Sequence, residues 1–507
     1  LFINDALCEK HKNIKYLSLF SHSVLFNIVF GFILKTFMAE RVYLLSMNQQ
    51  QSIFLAKSEV KTHDLEHKRK ISWNIQKYNA SVLKGKEQFA ELELARKKAK
   101  NIKWKAIEEL DRHLEVFEKN FTAKGGKLLW ANDAEEAQQH IIKICTEKNT
   151  TQIVKSKSMV TEEIHLNEFL EAHGIESVET DLGEYIQQLD GEAPYHIVTP
   201  AMHKSKEDVA KLFHEKLGTP SNLSPTQLTL VAREKLRSKY QTAQIGITGA
   251  NFWIADAGAI SVTENEGNAR LTTALPKVHI AIVGIEKVLP SIKDLNLFLP
   301  LLATFGTGQK VTSYNTLFSG PKQKNEQDGP DEMYVIMLDN GRTNLLADIS
   351  VRESMYCIRC GSCLNACPIY KNIGGHAYGA TYSGPIGAVI TPHMKGMEEY
   401  KHLSYASSLC GNCTEVCPLK INIHSMLLAN RQASVNAGLN GFQENMGWAL
   451  WQKGMMNRKL IGLAGQGIKN KVFHSVFSKS WANRREEIQF PKQTFQQLFA
   501  ERNKKES

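Results

Sequence analysis

Seven of the nine cysteines fall between Cys357 and Cys417, in two runs: Cys357-x2-Cys360-x2-Cys363-x3-Cys367-Pro368 and Cys410-x2-Cys413-x3-Cys417-Pro418. Thiolates three residues apart on a tight turn can grip three irons of one cubane. The cysteine before proline opens a new segment and points away, and in two-cluster ferredoxins it ligates the other cluster. By that rule Cys357, Cys360, Cys363 and Cys417 hold one [4Fe–4S] cluster, and Cys367, Cys410 and Cys413 hold a second. The chemistry would be one-electron transfer. Zinc asks for four N/S ligands in separated pairs, and the first run has one cysteine too many. A disulfide framework suits small secreted domains, not a chain of 507 residues.

The second run lacks its opening cysteine, and Ser407 stands three residues before Cys410. Three readings of the fourth ligand follow. An open position, taken by water or substrate, ranks first; the Ser407 oxygen second; a histidine such as His402 or His376 third. An open iron could act as a Lewis acid, and an incomplete ligand set also admits a [3Fe–4S] form. Cys145, among Ile141, Ile142 and Ile144, reads as a core residue.

The length predicts two or three domains. Lys and Arg number 62 against 52 Asp and Glu, a net charge of +10. The lysines are scattered, which argues against nucleic acid and suits acidic redox partners or anionic substrates. Residues 17–37 are largely apolar and nearly long enough to span a bilayer, although His22, Asn27 and several serines interrupt them. The preferred reading is that 1–46 precede the native start at Met47, with a membrane anchor as the alternative and a cytoplasmic protein as the expectation.

Residues 47–125 read as helical, with Ile107, Leu110, Leu114, Phe117 and Phe121 on one stripe and Gly125-Gly126 as the stop. From 126 to 345 short strands alternate with helices, the pattern of an α/β domain on a mostly parallel sheet. Strands are expected at 127–131, 151–158, 197–200, 245–248, 259–264, 278–284 and 333–338. Helices are expected near Asn132 or Asp133, from Thr161 to Gly174, and over 205–217. Residues 346–430 form the cluster region, whose glycine- and proline-rich middle reads as loop around the second cluster. Residues 431–507 read as helical.

In such sheets ligands sit beyond the carboxyl ends of the strands. Lys155, Ser156, Lys157 and Ser158 lie at one such end, ahead of a helix, and offer two cations to a carboxylate or phosphate; the plainer alternative is a solvated turn. Asn251, Glu264, Asn265, Glu266, Gly267 and Asn268 form a second polar concentration, read as hydrogen-bonded turn residues that shape a pocket rather than as nucleophiles. The scattered histidines read as structural. No G-x-G-x-x-G opens a βα unit, so neither NAD nor flavin is expected.

Several phrases together resemble one family: KSKSMVTEEIHLNEFL (155–170), FHEKLGT (213–219), ITGANFWIADAGAISVTENEGNA (247–269), CIRCGSCLNACPIY (357–370) and LCGNCTEVCPLKINIH (409–424). They are similar to the lactate-utilisation iron–sulfur protein B family, and the likeness runs from about 65 to 475. It implies an α/β lactate-utilisation (LUD) domain, similar to CoA-transferase and ribose-phosphate-isomerase folds, fused to a helical, loop-rich, two-cluster ferredoxin-type module. It also implies an oxidoreductase subunit in the oxidation of L-lactate to pyruvate, rather than a complete enzyme. Its partners would be a cysteine-rich oxidoreductase subunit and a second LUD-domain subunit. The alternatives are the iron–sulfur subunit of another hydroxy-acid or glycerol-phosphate-type dehydrogenase, and a LUD scaffold that docks partners. Three cysteines in the second run are the family's pattern. Trp253 to Gly258 depart from it, since a more acidic, glutamate-containing version is expected there.

Overall fold

The computed structural model describes residues 48–457, 466–481, 486 and 488–506. The apolar stretch at 17–37 and Cys8 lie outside the described residues. Among those residues no helix is long and apolar enough to cross a membrane. Asn48–Gly438 form one compact unit. The helices Phe442–Met456, Gln466–Trp481 and Phe495–Glu506 belong to a second.

The first unit is built on six parallel strands in the order β1-β10-β7-β4-β2-β3, where β1 is Lys127–Ala131, β2 Gln152–Lys155, β3 Glu176–Glu179, β4 Ile245–Gly249, β7 Val278–Gly284 and β10 Glu332–Leu338. The central strands β7 and β10 are mostly apolar and buried along nearly their whole length, as strands covered on both faces of a parallel sheet are. Gly246 on β4 is required by close approach, since a side-chain carbon there would meet the Thr272 carbonyl at 1.8 Å. A smaller sheet, β8-β5-β6-β9, joins Val288–Leu289, Phe252–Ile254, Ala259–Glu264 and Tyr314–Phe318.

Local chemistry sets most helix ends. Asp133 accepts from the Glu136 N–H, and Ser205 with Asp208 closes a capping box on Lys206–Leu217, which Gly218 ends at φ 70°. Four sequence expectations are corrected. Residues 197–200 are not a strand: the His196 ring nitrogen Nδ1 accepts from the N–H groups of Val198 and Thr199, and the Tyr195 N–H reaches the Pro200 carbonyl, folding the segment into a turn. The apolar stripe before Gly125 is carried by two helices, Leu92–Glu108 and Leu110–Thr122, because Glu109 leaves helical geometry. The helix expected from Thr161 is Met159–Glu163, broken at His165 (φ 49°) and resumed as Leu166–Ala172. The passage between the cysteine runs is largely helical, as Gly384–Lys395 and Met397–Tyr405. Trp253, at the family departure, is fully buried with its ring 5.4 Å from that of Phe117.

The N-terminal helices strap the sheets to the cysteine region. Arg96 donates to the carbonyls of Cys417 and Glu415 at 2.7 Å, and Lys103, itself buried, donates to the carbonyls of Glu286 and Val288.

Candidate iron–sulfur centre and the cavity beside it

The two cysteine runs repeat one backbone device. Arg359 (φ 58°) precedes Cys360 and Gly361 (φ 79°) follows it; Leu409 (φ 53°) precedes Cys410 and Gly411 (φ 77°) follows it. Two left-handed residues around one cysteine curl the chain so that successive sulfurs converge, and the second left-handed position favours glycine. Each loop then enters a short helix, Ser362–Ala366 or Asn412–Glu415. These helices pack together, and the Asn412 amide donates to the Ala366 carbonyl at 3.2 Å.

That packing brings the sulfurs into two groups that cross between the runs. Burial raises the Cys417 thiol, and Cys360 and Cys357 raise it further. Burial pushes Cys413 up to about 11, with Cys367 and Cys410 as its other sulfur neighbours. Cys363 feels Cys357, Cys360 and Cys417, then Cys413 of the other group, so the two groups adjoin.

The donor set fits iron–sulfur clusters. Every described cysteine is free of disulfide, and among the described residues no cysteine trio closes to within 4.8 Å, as ligands of one ion would. Buried thiols that raise one another's pKa stay protonated unless cations sit among them, which iron supplies. Backbone N–H groups also point at sulfur: Arg359 at Cys357 (3.4 Å), Tyr370 and Ile369 at Cys367, Ile421 and Leu419 at Cys417. Such donors tune cluster potential.

Ser407, His376 and His402, the residues considered as a fourth ligand for the second group, each make a hydrogen bond of their own, and His402 keeps a buried Nε2 without a partner. Ser407 Oγ accepts from the Leu409 N–H at 3.1 Å and holds the turn. His376 Nε2 meets the Ala193 carbonyl at 2.7 Å, beside Glu192 and His203. His402 Nδ1 meets the Glu399 carbonyl at 3.0 Å, and its ring lies 5.3 Å from Phe54. Cys410 is exposed, whereas its partners Cys367 and Cys413 are buried.

A cavity of about 380 Å³ lies between the carboxyl ends of β2 and β4 and the first cysteine loop. Ser156, Lys157 and Ser158 line it from β2, Asn251 from beyond β4, and Glu264, Glu266 and Asn268 from the turn after β6. Ile358, Arg359 and Tyr382 close it from the cluster side. Burial and the charge of Asp181 push the Glu266 carboxyl up to about 7. Glu264 accepts from the N–H groups of Ala269 and Arg270, Asn251 from that of Thr263, and Lys157 donates to the Ile197 carbonyl. Lys155 does not line the cavity. Its ammonium is fully buried between Glu179 (2.5 Å) and Glu162 (3.1 Å), so it holds strand β2 to its neighbours.

Two family profiles match the chain: the LUD domain over 114–338, spanning β1 to β10, and the 4Fe-4S dicluster domain over 353–421, spanning both cysteine runs. Lactate utilization protein B of Geobacillus thermodenitrificans is 48% identical over 350 residues, covering 69% of this chain and 73% of that protein. Its counterpart in Geobacillus sp. strain WCH70 is 47% identical (70% and 74% covered), and that in Macrococcus caseolyticus 46% identical (70% and 74%). The chain belongs to the lactate utilization protein B family. Its cofactors are two [4Fe–4S] clusters, and its architecture is an α/β LUD domain joined to a cluster-binding module.

The structure adds residues that spacing did not single out. In this member of the family a buried ion network joins the LUD domain to the cluster module. Arg342 forks onto both Glu163 oxygens at 2.9 Å and reaches Glu286 at 2.5 Å; Tyr382 donates to Glu163 at 2.6 Å. Arg359 stacks on the Tyr382 ring at 4.5 Å, and its Nη2 lies 3.6 Å from Glu286. The paired charges hold Glu286 at about 2 despite burial, which acts the other way. Of these residues only Arg359 stands inside a cysteine run, between Cys357 and Cys360.

Proposed function

We propose that this chain is the electron-relaying iron–sulfur subunit of a complex that oxidises L-lactate to pyruvate. Cys357, Cys360, Cys363 and Cys417 hold one [4Fe–4S] cluster. Cys367, Cys410 and Cys413 hold the other, whose fourth position is open to water or an exogenous ligand. When bound, the clusters supply one-electron transfer. The protein's part is to hold the sulfurs, keep water from the first group and direct N–H groups at the thiolates. The observation that carries this reading is the crossed grouping of seven sulfurs with Cys363 adjoining Cys413, since relay between two centres needs them close together. The domain division follows: helices over 47–125, LUD domain over 126–345, cluster module over 346–430 and helices beyond.

The substrate-oxidising centre and the final acceptor would lie on partners, namely a cysteine-rich oxidoreductase subunit and a second LUD-domain subunit. Anaerobic reconstitution with iron counting and EPR tests the ligand assignment. About eight irons per chain, or about seven if the open site loses one, are expected. About four or fewer, or zinc instead, would defeat it. Lactate-driven reduction of the clusters in the reconstituted complex, absent when the partners are omitted, tests the relay.

A further inference from the structure

The guanidinium of Arg359 is nine-tenths buried, with its side chain 9% exposed, yet its Nε and Nη1 have no hydrogen-bond partner. Its one carboxylate neighbour, Glu286, stands 3.6 Å away and is already engaged by Arg342. A buried cation left with unmade hydrogen bonds is costly. Arg359 lines the cavity together with Lys287, which is also buried. In this region Arg342, Arg359 and Lys287 face the carboxylates of Glu163 and Glu286, and Arg359 and Lys287 also lie near the Cys357 sulfur, yet none of these takes up the Nε or Nη1 of Arg359.

The lining also carries the carboxyls of Asp181, Glu264 and Glu266, with Lys157 near Glu266. Ile358, Val198 and Leu302 add apolar surface to the lining. A guanidinium fork matches the two oxygens of a carboxylate. The carboxyl oxygens accept hydrogen bonds from a hydroxyl. Cavities at domain junctions with apolar walls and a few convergent polar groups are where small ligands bind.

We infer that this cavity is a binding site for a small carboxylate, whose anionic end is taken by Arg359 and Lys287 beside the first cysteine loop. The site requires no electron relay through the chain, so it stands or falls apart from the function proposed above.

The test is anaerobic titration calorimetry of the full-length, cluster-loaded protein with L-lactate, oxalate and inorganic phosphate, with iron content and visible absorbance recorded for every variant. Saturable binding of L-lactate or oxalate is expected, weakened about tenfold or more by Arg359→Met and by Lys287→Met with iron content unchanged. If Arg359→Met loses iron, the guanidinium serves the cluster and Lys287→Met decides: weaker binding upholds the site and unchanged binding overturns it. No saturable carboxylate binding, binding unaltered in both variants, or phosphate bound more tightly than either acid would each overturn it. A chain that relays electrons from its partners but binds no acid would sink this inference alone.

Discussion

The two cysteine loops share a backbone and differ in everything around it. Around Cys360, a buried lattice of Glu163, Glu286, Arg342, Arg359 and Tyr382 ties the loop to the LUD domain and to a cavity. Around Cys410 the loop meets solvent, and its support is a serine turn and the helix Asn412–Glu415. The repeated left-handed pair supplies convergent sulfurs in both places. What each group of sulfurs can do is then set by burial and charge, not by the loop. The first group is built into the protein interior and next to a ligand-sized space; in the second, Cys367 and Cys413 are buried while Cys410 is exposed.

The sharpest way to break this comparison is to remove one sulfur from each loop. Cys363→Ala is expected to lose at least one cluster's iron, about four atoms, and to lower stability, because its sulfur is buried where both groups adjoin. Cys410→Ala is expected to lose a similar amount of iron with little change in unfolding. Equal destabilisation by the two variants, read from iron assays and denaturant curves, would erase the distinction. Next in size is the buried lattice. Arg342→Met strands Glu163 and Glu286, and is expected to cost about 3–5 kcal/mol in denaturant unfolding. Lys155→Met should cost a comparable amount by stranding Glu179, whereas Lys157→Met at the cavity wall should cost far less; the reverse order would return Lys155 to the cavity.

A smaller effect concerns reactivity. Neighbouring donors at Asn412 and Ser408 lower the exposed Cys410 thiol, while burial pushes Cys145 up to about 12. Exposed, easily ionised thiols oxidise first. Brief treatment of the iron-free protein with a thiol-alkylating reagent is therefore expected to label Cys410 before Cys145, and equal labelling rates read by mass spectrometry would count against the difference in access. A further effect is acid sensitivity. Burial holds His67 at about 4 and His279 at about 3, against 6.5 for an ordinary imidazole. Below pH 6.5 the unfolded chain binds protons that the folded chain does not. Their contribution is thus complete above about pH 6.5 and is lost as pH falls towards 4, visible as a falling denaturation midpoint. A midpoint that rises over that interval would contradict the neutral buried imidazoles.

Much of the fold could be read from residues with local consequences. The buried runs VHIAIVG and MYVIML became central strands β7 and β10, and Ser205 with Asp208 and Gly218 marked both ends of one helix. The edge elements were less legible. β3 (Glu176–Glu179, ESVE) is polar and β9 (Tyr314–Phe318) is largely exposed, and each owes its strand form to a neighbour. IVTP has strand-like composition, but the His196 ring captures its N–H groups. In the candidate site, Lys157, Ser158, Asn251 and Glu266 share one cavity, while Lys155, one pleat away, faces a cluster of carboxylates. Alternation along a strand assigns faces but does not say what packs on each.

The sequence by itself determined the ligand chemistry, because soft sulfur donors at tight spacing before proline suit iron–sulfur clusters and little else, and it determined an α/β sheet, because apolar periodicity is a local property. Only the tertiary structure decided that the LUD cavity opens onto the first cysteine loop. It alone showed that Arg359 is left with donors unmet. Those are contacts between segments far apart in the chain, fixed by how helices and strands pack, and no spacing along one segment encodes them.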